Sequence, residues 1–292
     1  MAREETPLGR MLSDFLSSPT AVFGLVLLAA ILTVAIAAPF ISPQNPYDLA
    51  QLDVMDGRLP PGAKTDGGTF WLGTDDQGRD MLSAIFYGLR ISLTVGVVST
   101  VVALALGLAL GLAAAYLGGR TETVIMRIAD IQLSFPAILI ALILLAVLGQ
   151  GMLKIIAALV TVQWAYYART VRSAALVEKR KEYIEAARCL ALPPSRIVFR
   201  HLLPNCLPPL IVVATVQVAA AIALEATLSF LGLGLPITEP SLGLLIANGY
   251  QYLLSGKYWI SFFPGVALLL TIVSINLVAD QLRDVLNPRL QR

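Results

Sequence analysis

The sequence predicts an all-α polytopic membrane protein with six transmembrane helices and both termini cytoplasmic. Three observations predict it. Of 292 residues, 57% are hydrophobic and only 14% charged, where a soluble domain has roughly a quarter charged. Apolar runs of about 20 residues, enough to cross the hydrocarbon, recur between polar breaks. Fifteen of the 21 Lys and Arg residues fall on one side of a six-span arrangement that starts inside, as the positive-inside rule requires. The net charge of +2 is no argument for nucleic acid, so the expected surroundings are a lipid bilayer and no nucleic acid.

In chain order, residues 1–41 read as a cytoplasmic leader and a first span from Thr20 to Ile41. A signal peptide cleaved near Ala35-Ile36-Ala37 is the competing reading, opposed by the acidic residues of the leader and the length of the run. Residues 42–89 read as an extracytoplasmic loop, with seven Asp against three Lys or Arg. In it Asp75 or Asp76 could cap a short helix beginning near Gly78. Residues 90–282 read as a core of five further spans, and 283–292 as a cytoplasmic tail. Span two, Ile91 to Leu117, carries Gly107 and Gly111 at G-x-x-x-G spacing, extended by Ala115, for close approach of another helix within the subunit or across a dimer. A short basic turn from Gly118 to Thr123 precedes span three, which ends near Leu148 with Pro136 near its start. Span four runs from Leu153 to Tyr167 and continues through Arg169 and Arg172. Span five starts at Leu207-Pro208-Pro209, prolines suited to a first helical turn, and span six covers Phe262 to Val278.

The longest polar interruption of the second half is residues 178–206. It carries Lys179, Arg180, Lys181, Arg188, Arg196 and Arg200 against Glu178, Glu182 and Glu185. Apolar residues recur at helical spacing at Ile184, Ala187 and Leu190, then at Ile197, Val198 and Leu202. Pro193 and Pro194 break the helix between the two runs. The pattern predicts helix, turn and short helix, more order than a plain connecting loop needs, and so a docking element. A generic basic cytoplasmic loop is the blander reading.

Glu185-Ala186-Ala187 followed by His201-Leu202-Leu203-Pro204-Asn205 resembles the EAA motif of ABC-importer permeases. The resemblance implies a type I importer permease fold in which this loop is a coupling helix seated in a cytoplasmic ATPase subunit. It carries over to Glu182, Ile184, Glu185, Ala186, Ala187, Leu190, Ala191, Arg196, Leu203 and Pro204 as the ATPase-coupling residues, with Glu185, Ile184, Ala187 and Leu190 forming the contact. The family has a glycine where Ala191 stands. Alanine resists the positive φ that glycine allows, so the Leu192-Pro193-Pro194 break is expected to make the bend. Trp71-Leu72-Gly73-Thr74-Asp75-Asp76-Gln77-Gly78-Arg79-Asp80 matches LGTD-x-x-GRD of the dipeptide/oligopeptide branch, C-type subunit, and Ser229-Phe230-Leu231-Gly232-Leu233-Gly234 resembles the same branch. For the first string, packing of the loop against the outer membrane face is favoured over contact with substrate. The resemblance implies a second homologous permease, two ABC ATPase subunits and an extracytoplasmic peptide-binding protein, in a bacterial or archaeal inner membrane.

No G-x-x-x-x-G-K-[ST] occurs; Gly256-Lys257 lacks the upstream glycine and the hydroxyl residue. Nucleotide hydrolysis is therefore expected from another chain, and this one is expected not to be an enzyme. Cys189 and Cys206 lack metal spacing and His201 is the single histidine, so no metal and no cofactor are expected. Two polar residues inside span five are translocation-path candidates. Glu225 lies about 27 Å along the span from Leu207, near its outer end; it could meet the amino terminus of a peptide, serve an outer gate, or be structural. Gln217, nearer the middle, is expected to bond a neighbouring helix rather than a substrate. An ion-coupled secondary transporter is the competing class, and it needs paired ionisable residues at the midplane, which spans two and three lack. Within the importer class, nickel chelates, glutathione or other small solutes are alternative cargoes.

Overall fold

The structure, a computed structural model, describes residues 7–48, 52–65 and 68–286. The expectations for residues 1–6, 49–51, 66–67 and 287–292 lie outside it. The described chain is helical apart from one hairpin in the first loop, with Ala63–Thr65 (β1) antiparallel to Gly68–Phe70 (β2) and Ala63 opposite Phe70.

The leader forms a helix, Pro7–Leu16 (α1), on which Met11, Leu12, Phe15 and Leu16 recur at helical spacing. Ser18 then caps the first long helix, Pro19–Ile41 (α2), by accepting from the Ala21 N–H at 3.4 Å, with Pro19 in the first turn. The next helix, Met81–Leu117 (α3), begins ten residues before the expected start of span two. Its cap is Asp80, not Asp75 or Asp76: the Asp80 carboxylate accepts from the Ser83 N–H at 2.8 Å and the Ser83 hydroxyl at 2.6 Å. Residues 81–89 are therefore the first turns of α3.

The "basic turn" at Gly118–Thr123 is instead the start of a 15-residue helix, Gly119–Leu133 (α4). After Ser134-Phe135-Pro136 the chain bends by 92° into Ala137–Leu148 (α5), so a bent helix pair stands where span three was expected. Pro136 has no N–H to continue α4 and biases Phe135 to extended geometry. Met152–Glu178 (α6) follows, then Glu182–Cys189 (α7), a single turn Pro194–Arg196 (α8), a π-helical turn Ile197–Leu202 and Leu203–Phe230 (α9). Span five thus does not start at Leu207: the helix is continuous from Pro194, with Pro208 and Pro209 inside it. Leu242–Tyr250 (α10) and Trp259–Leu286 (α11) complete the chain.

Among the described residues four helices are long and apolar enough to cross a bilayer, and the bent α4–α5 pair makes up to five. Helix α6, read as span four, carries Lys154, Gln163, Arg169 and Arg172 along its length. It packs mainly against protein, since α3 and α6 form the most extensive helix pair in the molecule. Gly107 and Gly111 make that approach possible. A Cβ on Gly111 would stand 2.6 Å from the Ala168 carbonyl oxygen and 2.7 Å from Val171 Cβ, so the G-x-x-x-G face serves packing within the subunit. Helix α9 lies across both, and α11 packs on α2 and α10.

The acidic first loop is built, not loose. Asp75 Oδ1 accepts from the N–H groups of Gln77 and Arg79, both at 2.9 Å, while Oδ2 pairs with Arg79 Nε at 2.6 Å. Arg79 Nη1 donates to the Ile237 carbonyl at 3.3 Å, fastening the first loop to the second. Thr74 donates to the Asp56 carbonyl and accepts from the Leu59 N–H, and Trp259 Nε1 reaches the Thr74 carbonyl. Gly78 takes φ +78° against the Asp53 backbone, where any Cβ would collide. Each of these residues has an internal task, and Asp75 and Arg79 are 0% and 1% exposed.

Candidate functional site

The 178–206 element folds as helix, turn and helix. Lys179 and Arg180 follow the end of α6 in a turn, and α7 comes next with Glu182 and Glu185 in its first turn and Arg188 in its last. Both placements favour the helix dipole. The apolar spacing has a definite result: Ile184 and Ala187 are buried against Ile197, with Leu192 and Tyr116 packed around them. This corrects the expected contact surface. Ile184 and Ala187 seat α7 on its own chain, buried in this structure. The outward face carries Glu182, Glu185, Ala186 and Leu190, the last 74% exposed. Arg196 and Pro204 are exposed and Leu203 is half-buried.

The bend is also corrected. Ala191 itself takes φ +53°. The Leu192 N–H bonds the Ala187 carbonyl at 3.1 Å and the Ala191 N–H bonds the Arg188 carbonyl at 2.9 Å, which is the paired pattern of a Schellman cap. The contact of Leu192 with Ala187 supplies its usual apolar seal. The same cap ends α9, where Gly232 takes φ +78°, Gly232 N–H bonds Ser229 and Leu233 N–H bonds Leu228. Alanine at a left-handed position costs about 1–2 kcal/mol, against about 0.5–1 kcal/mol for the extra freedom glycine loses on folding. Ala191→Gly is therefore expected to stabilise the permease by about 0.5–1 kcal/mol, read as a raised unfolding midpoint in detergent. A lowered midpoint would refute this accounting.

Two anchors were missed by the sequence reading. Lys179 Nζ donates to the Ala115 and Tyr116 carbonyls at 2.7 and 3.1 Å, the last turn of α3, and stands 5.6 Å from the centre of the Tyr116 ring. Glu178 accepts from Lys181 and from the Tyr183 hydroxyl, both at 2.6 Å. The charge run alone carried no signal that these residues, rather than their neighbours, would turn inward.

The two path candidates sit differently in the packing. Glu225 is fully buried and accepts from the Ser92 hydroxyl at 2.9 Å and the Ser229 hydroxyl at 2.7 Å, cross-linking α9 to α3. Of the roles left open for it, the structural one matches this arrangement, in which Glu225 is part of the packed core. The Gln217 side chain is half-buried, and it is the Gln217 backbone carbonyl that receives Gln163 Nε2, at 3.5 Å. Gln163, buried and bonded by Thr100 as well, is the interhelical amide here. Beside the docking element a cavity of about 990 Å³ lies between α6, α9 and α11, bounded by Arg169, Val177, Glu178, Pro208, Val212 and Arg283.

Comparison with known proteins agrees with this architecture. The chain is 40% identical over 289 residues to the dipeptide transport system permease protein DppC of Escherichia coli (strain K12), covering 98% of this chain and 95% of that one. It is 36% identical to the di/tripeptide transport system permease protein DppC of Pseudomonas aeruginosa (strain UCBPP-PA14), over 98% and 93% of the two chains. The fold resembles that of the inward-facing MetNI methionine ABC transporter, with TM-score 0.58 and 23% identity over 71% of this chain and 98% of that one. Residues 6–61 match the N-terminal TM domain of oligopeptide transport permease C. Residues 105–292 match the binding-protein-dependent transport system inner membrane component, and the chain belongs to that family: it is a multi-pass inner-membrane permease component of an ABC transport system, which works with ATPase and binding-protein partners.

Proposed function

We propose that this chain is the C-type permease subunit of an importer for dipeptides or oligopeptides, and that it forms the translocation path together with a second, homologous permease. In this reading it crosses the membrane six times, with α6 as the fourth span and both termini in the cytoplasm. The excess of Lys and Arg on the side of α7 supports that orientation. The layout is a leader and first span to residue 41, a loop to Asp80, a five-span core with the coupling loop 178–206, and a tail from 283. The printed functions of the relatives support peptide as cargo. Nickel chelates, glutathione or other small solutes are the alternative cargoes.

The observation that carries the reading is the two-sided α7: Ile184 and Ala187 locked inward, and Glu182, Glu185, Ala186 and Leu190 left facing out beside the exposed turn at Ala191. An exposed leucine flanked by charges on a helix so firmly seated fits a partner's cleft. Closure of two ATPase subunits would then carry α7 as a rigid piece and switch the permease between inward- and outward-facing forms. Glu185→Lys tests it. Reversing one exposed charge leaves the buried seat intact, so membrane insertion should be unchanged while ATPase co-purification and uptake fall about tenfold, as loss of about 1.4 kcal/mol of contact would give. Undiminished co-purification and uptake would sink the proposal.

A further inference from the structure

The apolar seat of α7 does not by itself fix how the helix is turned. Ile184 and Ala187 are one turn apart and meet Ile197, Leu192 and Tyr116 through non-directional contacts. A helix of 8 residues held only this way could roll on its seat when pushed. Directional bonds run along its other side. The Tyr183 hydroxyl donates to Glu178 Oε2 at 2.6 Å and accepts from Asn205 Nδ2 at 3.1 Å. Glu178 is the last residue of α6, and Asn205 lies in the first turn of α9, where its Nδ2 also donates to the His201 carbonyl at 2.7 Å. Lys181 completes the Glu178 carboxylate, and the adjacent Lys179 grips the carbonyls at the end of α3.

We infer that the Tyr183 hydroxyl is a positioning group for transport: it pins α7 to α6 and α9 together, so that a displacement of α7 reaches the membrane helices instead of being absorbed as a roll. This rests on the proposed docking of an ATPase at α7. Its chemistry suits the task. Burial and the neighbouring Glu178 carboxylate push the Tyr183 phenol up to about 12, so it keeps its proton and its donor role throughout the working pH range. A hydrogen bond to a carboxylate is about twice as strong as a neutral one, and the hydroxyl is the single atom shared by the α6 and α9 bonds.

Tyr183→Phe removes that atom and keeps the ring. The test uses the complete assembly, with both permeases, the ATPases and the binding protein, reconstituted in liposomes and supplied with radiolabelled dialanine and ATP. The variant is expected to assemble with wild-type yield and unfolding midpoint and to hydrolyse ATP within about twofold of wild type. Dialanine moved per ATP hydrolysed should fall about tenfold, the factor equivalent to 1.4 kcal/mol. Glu178→Gln, whose amide oxygen still accepts from Tyr183, should retain most of the wild-type ratio, while Glu178→Ala should reproduce the loss. A wild-type ratio in Tyr183→Phe overturns the inference, and so does a fall in assembly or unfolding midpoint that accounts for the whole loss. Glu185→Lys run beside it separates the two readings. If that variant sheds the ATPase while Tyr183→Phe transports normally, only the pinning role fails; if it keeps the ATPase, the docking reading fails.

Discussion

Asp75→Ala is expected to destabilise the permease by about 3–5 kcal/mol, the cost of leaving one member of a buried ion pair alone. Arg79 is 1% exposed, and Asp75 is the only carboxylate it pairs with among the described residues. Without Asp75 the guanidinium keeps one bond, to the Ile237 carbonyl, and the N–H groups of Gln77 and Arg79 lose their acceptor. In purified permease the unfolding midpoint should fall by on the order of 10 °C. The double variant Asp75→Ala/Arg79→Met should recover a large part of that loss, because it replaces the stranded cation with an apolar chain. A single variant that unfolds at the wild-type temperature would show that the pair does not hold the loop.

The second large effect is expected at Gly111. In a helix interior alanine is favoured over glycine by about 1 kcal/mol, so propensity alone predicts that Gly111→Ala stabilises. Geometry opposes it. The new Cβ would stand 2.6 Å from the Ala168 carbonyl oxygen and 3.1 Å from Ala168 Cα, backbone atoms that cannot rotate away. Overpacking of this kind costs about 1–3 kcal/mol and occasionally more, which outweighs the propensity gain. Gly111→Ala should therefore lower the unfolding midpoint, and Gly111→Val should prevent α3 from closing on α6 altogether. Gly265 is the control: it lies within α11 and a Cβ there meets nothing within 4 Å. Gly265→Ala should be neutral or stabilising. Equal behaviour of Gly111→Ala and Gly265→Ala would dispose of the argument from close approach.

How much of this was legible in the sequence depended on whether a local pattern had one physical outcome. The helix–turn–helix of 178–206 was legible because Pro193 and Pro194 disfavour a helix running straight through, and the spacing of Ile184 and Ala187 marked one apolar face. Which way that face turned was not legible, since an apolar stripe fits an internal seat as well as a partner's cleft. Ala191 misled because residue type sets only the cost of positive φ; here the 5→2 and 6→1 bonds and the Leu192–Ala187 contact outweigh it. The role of Glu225 stayed open for a related reason. A carboxylate in a span implies a partner, and its partners, Ser92 and Ser229, carry no charge that a scan for ion pairs would find. The early start of α3 was hidden because residues 81–90 include Ser83, Tyr87 and Arg90, a composition suited equally to a helix outside the hydrocarbon and to a loop.

Helix α3 runs unbroken for 37 residues, about 55 Å at 1.5 Å per residue, well beyond the roughly 30 Å of hydrocarbon. One end is clamped by Asp80 and the loop that Asp75 and Arg79 hold, and the other by Lys179 beside α7. A single strut thus joins the loop that Asp75 and Arg79 hold to the seat of α7. A stiff rod fixed at both ends cannot tilt at one without displacing the other, so the first loop and the seat of α7 share one lever.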